Sequence, residues 1–86
     1  MTFTELLRKD FEIKGGKIYI KNGDYTWFDV RRFGWGEPKE YYIEGAGIYS
    51  KYYIKQDAYN DWYIYDGYSP IKKLNYLGGE TWLSYF

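Results

Sequence analysis

Polar and apolar positions alternate along much of this chain, and the alternation predicts more strand than helix. From Tyr41 to Tyr68 (YYIEGAGIYSKYYIKQDAYNDWYIYDGY), short β-prone runs are separated by Gly45-Ala46-Gly47, by Gln56 to Asp61 and by Asp66-Gly67. Runs of this kind with breaks of this kind predict three successive antiparallel strands. Upstream, Lys17 to Lys21 alternates and is followed by Asn22-Gly23, the dipeptide that best accepts the two positive φ angles of a type I′ turn. With that turn Lys21 faces Asp24, Ile20 faces Tyr25 and Ile18 faces Trp27. Ile18, Ile20, Tyr25 and Trp27 then share one face, and Tyr19, Phe28 and Val30 the other. At the end of the chain, Trp82, Ser84 and Phe86 alternate with Thr81, Leu83 and Tyr85, predicting a last strand, with a short helix as the alternative.

Two stretches carry the helical period instead. Thr2-Phe3-Thr4-Glu5 has the form of a capping box, and Phe3, Leu6, Leu7 and Phe11 fall at i, i+3, i+4 and i+8. This predicts a helix of about two to three turns, stopped by Gly15-Gly16. Ser69-Pro70 supplies an N-cap and a proline at the first helical position, with Gly78 placed as a C-terminal glycine. Ile71, Leu74 and Leu77 would form the apolar face of a short helix over 70–77. Gly34-Trp35-Gly36-Glu37-Pro38 reads as an irregular loop with an aromatic at its tip.

The elements sum to one α+β domain over residues 1–86. In it an N-terminal helix packs on a strongly twisted antiparallel sheet of five or six strands, with a short second helix near 70–77. The alternative is a small SH3-like β-barrel carrying the helices as appendages. An internal similarity runs through either version. Lys17-Ile18-Tyr19-Ile20-Lys21 lies over Lys51-Tyr52-Tyr53-Ile54-Lys55, and Asp24 to Asp29 lies over Asp61 to Asp66. Both halves of the similarity predict a hairpin; a duplication and the mere recurrence of Lys-flanked Tyr/Ile strands account for it equally well.

Composition changes what the sheet is for. Phe, Trp and Tyr make up 26% of the 86 residues. The core is therefore largely aromatic, and more rings are present than so small an interior can hold. Nine of the thirteen tyrosines lie between Tyr41 and Tyr68. Formal charge is zero but uneven: residues 1–36 carry seven bases and five acids, residues 37–68 three bases and six acids. The tyrosine-rich stretch is thus the acidic one. The segment MTFTELLRKDF has charges where a secretion signal needs an apolar core, and no run approaches the about 18 apolar residues of a membrane span. The expectation is a soluble cytoplasmic protein with no membrane contact.

Chemistry has few residues to work with. Cysteine and histidine are both absent, which removes disulfides, thiolate chemistry and the two commonest transition-metal ligands. General acid–base work is left to carboxylates, lysines and tyrosines. Asp57, Asp61 and Asp66 could meet at one end of a hairpin as a carboxylate pair or a hard-cation site, but aspartates beside Asn and Gly more often serve turns. Tyr68 and Lys72 have the Tyr-x-x-x-Lys spacing of short-chain dehydrogenases with no glycine-rich dinucleotide loop before them. No enzyme activity, cofactor or metal is expected.

Three kinds of binding remain. Lys17, Lys21, Arg31 and Arg32 beside Tyr19 and Phe28 could serve a nucleic acid, though zero net charge gives little long-range attraction to a polyanion. Trp62 to Gly67 resembles cell-wall choline-binding repeats over a few residues, without their regular period. Protein recognition fits best, because interface cores favour Tyr, Trp and Arg. The candidate partner-binding residues are Trp35, Tyr41, Tyr49, Tyr53, Tyr59, Tyr63 and Tyr65, with an acidic rim of Glu37, Glu40, Glu44, Asp57 and Asp61 steering toward a basic protein surface. A second copy of the chain is the competing partner. In size, in lacking catalytic residues and in its acidic aromatic face, the chain resembles the small inhibitors encoded by phages and mobile elements, anti-CRISPR proteins among them. That resemblance implies a non-catalytic module that blocks a host nucleic-acid-handling enzyme.

Overall fold

The structure, a computed structural model, describes residues 2–32, 40–45 and 52–84. One helical turn, α1 (Phe3–Leu6), precedes eight strands: β1 (Phe11–Lys14), β2 (Lys17–Ile20), β3 (Tyr25–Arg32), β4 (Glu40–Glu44), β5 (Tyr52–Gln56), β6 (Trp62–Asp66), β7 (Ser69–Gly78) and β8 (Thr81–Ser84). Each strand pairs antiparallel with the next, and β8 returns to β1, so the sheet closes into a barrel. The barrel alternative is therefore nearer than the α+β reading, although the strands number eight and run in simple next-neighbour order.

Inward positions fill the barrel. Phe11, Ile13, Ile18, Phe28, Val30, Tyr41, Ile43, Ile54, Ile64, Leu74 and Trp82 are buried along the strands, and α1 adds Phe3 and Leu6. An eight-stranded barrel has an interior just wide enough for side chains to fill, so the lumen is core. Each fully buried Ile or Phe contributes about 1.5–3 kcal/mol of transfer free energy.

The helical expectations are corrected at both ends. The Thr2 cap forms, with the Glu5 amide donating to Thr2 Oγ1 at 3.2 Å, but the helix ends after one turn. Phe11 belongs to β1 and alternates with Ile13. Gly15 and Gly16 both have positive φ, 61° and 76°, so they turn β1 into β2 in the manner a two-residue hairpin requires. The glycines read as a helix stop are a hairpin turn.

Residues 70–77, expected as a helix, lie within β7. Asp66 pairs with Ser69, so Gly67-Tyr68 is a two-residue turn and Ser69 continues a hairpin instead of capping a helix. Of the expected apolar face only Leu74 is buried, while Ile71 and Leu77 are exposed. Pro70 is tolerated because it faces Tyr65 at the irregularity in the β6–β7 pairing. At the far end Gly78 pairs with Thr81, and Gly79 and Glu80 make the turn with φ 59° and 60°.

The β2–β3 register also differs from the type I′ expectation. Tyr19, not Ile20, faces Tyr25, and Lys17 faces Asp29 across an irregularity. Asn22 takes φ 60° while the Gly23 amide donates to the Ile20 carbonyl at 2.7 Å, so only one of the two residues is left-handed. A one-residue slip exchanges the faces of a strand. Phe28 and Val30 accordingly go inside with Ile18, and Trp27 is left 68% exposed. The Thr26 hydroxyl completes the ladder at the irregularity, donating to the Ile18 carbonyl at 2.9 Å and accepting from the Phe28 amide at 3.3 Å.

Candidate binding surface

Alternation along a closed barrel sends every second side chain outward, and on β3 to β7 the registers align those side chains into rows. Arg31 faces Tyr42, Tyr42 faces Tyr53, Tyr53 faces Tyr65, and Tyr65 faces Pro70. One row nearer the opposite end, Glu40 faces Lys55, Lys55 faces Tyr63, and Tyr63 faces Lys73. The buried Tyr41, Ile43, Ile54 and Ile64 occupy the alternate, inward positions of the same strands, so Tyr42, Tyr53, Tyr63 and Tyr65 point out. All four are half-buried, their rings resting on the barrel and on one another.

Local contacts set the texture of this plate. Tyr63 and Tyr65 meet edge to face with centroids 6.2 Å apart, and the Lys55 ammonium lies 4.8 Å from the Tyr65 centroid. Arg31 Nη1 donates to Glu44 Oε1 at 2.8 Å. A hydrogen bond with Tyr42 and then the charge of Glu44 raise the Arg31 pKa further above its already high value. On the plate Glu44 is thus paired with Arg31. Asp57 Oδ1 accepts from the Tyr59 amide at 2.9 Å and from the Asp61 amide at 3.0 Å, which makes it a turn residue.

The expected site residues divide accordingly. Tyr53, Tyr63 and Tyr65 lie together on the plate, and Glu40 and Glu44 lie at its β4 side. Tyr59 is 84% exposed at the tip of the 57–61 turn, with Asp57 and Asp61 at its base. Tyr41 lies inside: its ring packs at 5.0 Å from Trp82 and 6.0 Å from Trp62, and its hydroxyl donates to Glu80 Oε1 at 3.2 Å. Burial is the first cause that raises its pKa. As a core residue it is no docking anchor, and this corrects its assignment. Trp35, Glu37 and Tyr49 lie outside the described residues. Tyr42, Arg31 and Lys73 belong to the rows and were not expected there; burial of Ile43 fixes the phase that turns Tyr42 outward and Tyr41 inward.

The other candidate chemistries find less support. Asp66 pairs with Tyr52 at the opposite end of the β5–β6 hairpin from Asp57 and Asp61, so the three aspartates do not converge. Among the described residues no group of three carboxylates could hold a metal. On the basic hairpin, Lys17 pairs with Asp29 at 3.7 Å and lies 4.3 Å from the Tyr25 centroid. Phe28 is buried and cannot stack on a base. A surface depression of about 450 Å³ beside this hairpin is lined by Glu12, Lys14, Gly15, Lys17 and Tyr19. Among the described residues no helix is long and apolar enough to cross a membrane. No known protein family, curated protein or solved structure matches the chain.

Proposed function

We propose that this chain is a small non-catalytic protein-binding module, docking the outer face of β4 to β6 onto a larger partner that it blocks or adapts. The observation that carries the reading is the cross-strand row Tyr42, Tyr53, Tyr65, with Tyr63 beside it. Rings that rest on a rigid barrel lose little freedom on binding, and their hydroxyls can meet a partner's backbone. A basic partner surface would meet the acidic rim of Glu40, Asp57 and Asp61, with Glu44 already paired with Arg31. The narrower form, a phage-type inhibitor of a host nucleic-acid-handling enzyme, rests on resemblance in size and composition.

The test compares affinity capture by the tagged wild-type chain and by a Tyr53→Ala/Tyr65→Ala variant of equal thermal stability. Proteins retained by the first and lost by the second support the reading, and identical catches would sink it. Light scattering on the same two proteins shows whether the partner is a second copy.

A further inference from the structure

Strands β4, β5 and β6 are each paired on both sides, so the face they carry cannot take an added strand and offers only its side chains. Tyr42 faces Tyr53 and Tyr53 faces Tyr65, one half-buried ring per strand. Neighbouring strands lie about 4.8 Å apart, which sets Tyr42 and Tyr65 about 9.6 Å apart with Tyr53 midway. The three rings are uncharged, and Arg31, which faces Tyr42 from β3, is paired with Glu44. A peptide that reads this row must repeat one of its own faces at the same interval. An extended strand does so about every 6.8 Å and an α-helix about every 5.4 Å. A polyproline II helix, with three residues per turn and about 3.1 Å of rise for each, does so about every 9.3 Å.

We infer that the segment this plate takes from its partner is a proline-rich stretch in the polyproline II conformation, with prolines three residues apart seated on Tyr42 and Tyr65 and with Tyr53 between them. The inference rests on the protein-binding reading of the plate and names the chemistry of what binds there. Prolyl rings are apolar and lie well on tyrosine faces. A polyproline II backbone has no internal hydrogen bonds, so its carbonyls are open to donation from the tyrosine hydroxyls. Because proline fixes φ, such a segment loses little freedom on docking, which suits an open sheet face. Lys55, whose ammonium lies 4.8 Å from the Tyr65 centroid, comes from the neighbouring row and borders the seat on that side.

Titration of the full chain with a polyproline peptide of about ten residues, long enough for three turns, tests it by nuclear magnetic resonance. The ring signals of Tyr42, Tyr53 and Tyr65 should shift with the peptide and not with a Gly/Ser peptide of equal length, while those of Trp27, 68% exposed on β3, stay in place. Tyr53→Ala should weaken the affinity about tenfold or more. Tyr53→Phe, which keeps the ring and so the fold, should weaken it about threefold through the lost hydroxyl. Silence at millimolar peptide overturns the inference, as do equal shifts with the Gly/Ser peptide, shifts centred on Trp27, or an affinity that both variants leave unchanged. A single-stranded oligonucleotide that moves these tyrosines where polyproline does not overturns it as well. Capture that depends on Tyr53 and Tyr65, found together with no response to polyproline, ends this inference and leaves the protein-binding reading standing.

Discussion

From Tyr52↔Asp66 to Gln56↔Trp62 the β5–β6 hairpin runs five pairs without a break, whereas in β2–β3 the two steps from Lys17 to Tyr19 are matched by four from Asp29 to Tyr25. The two hairpins begin from similar residues. Their first strands agree, with Ile18 and Ile54 both inward. Their second strands are out of phase: Ile64 is fully buried, while Trp27, which lies over it in the internal similarity, is largely exposed. The difference comes from the connections. The 57–61 turn is closed by the Asp57 amide donating to the Asp61 carbonyl at 2.9 Å and by the Asp57 carboxylate. The 21–24 loop is held by the Gly23–Ile20 bond, and the excess length of β3 is taken up at Thr26. A repeated residue pattern therefore does not repeat a packing when the loop between the strands resets the register.

Substitutions at matched positions can break this contrast. The largest effect belongs to the phase itself. Ile64→Ala should cost about 2–5 kcal/mol in urea unfolding, as for a buried aliphatic residue, whereas Trp27→Ala should stay within about 0.5–1 kcal/mol. Equal losses would mean that Trp27 is also core. Next comes the irregularity. Thr26→Val leaves the Ile18 carbonyl and the Phe28 amide without the hydroxyl that serves both and should cost about 1–2 kcal/mol. Tyr63→Phe at the matching position should change stability by less than about 0.5 kcal/mol. The turn follows: Asp57→Ala removes the acceptor of two exposed backbone donors, worth about 0.5–1.5 kcal/mol because water can replace it.

How far the chain could be read without coordinates follows the same lines. β5, β6 and β8 were legible because period-two alternation and turn residues agree there. β7 was not, because Ser69-Pro70, Gly78 and the Ile71, Leu74, Leu77 spacing satisfy every local requirement of a helix. Only pairing with β6 and β8 outweighs them. β1 was hidden by a coincidence, since Phe11 completes a helical stripe as readily as it begins an alternation. Tyr41 and Tyr42 are adjacent tyrosines with opposite fates, and the phase that separates them is set by Ile43 and by the strands on either side. Barrel closure is a non-local event that joins Glu12 and Ile13 to Leu83 and Trp82, and no local signal carries it.

The smallest effect lies in a surface contact of the β2–β3 hairpin. Tyr25 and Asp29 flank the irregular part of β3, and the Tyr25 hydroxyl donates to the Asp29 carboxylate while Lys17 stands beside both. That hydrogen bond, ahead of desolvation and the charge of Asp29, raises the Tyr25 pKa from 10.0 to about 12. The protonated phenol is thus favoured in the folded state, and the unfolded chain loses its proton first as pH rises. The contribution is fully present below about pH 10 and is lost between there and about pH 12. Its size is small, because the contact is exposed. Tyr41, whose pKa burial also raises, titrates in both proteins when wild type is compared with Tyr25→Phe. The stability difference between the two should therefore hold constant at neutral pH and close toward zero above pH 10, with the Tyr25 phenolate absent from the near-ultraviolet titration of the variant. A gap that widens with rising pH would show that Asp29 does not hold the Tyr25 proton.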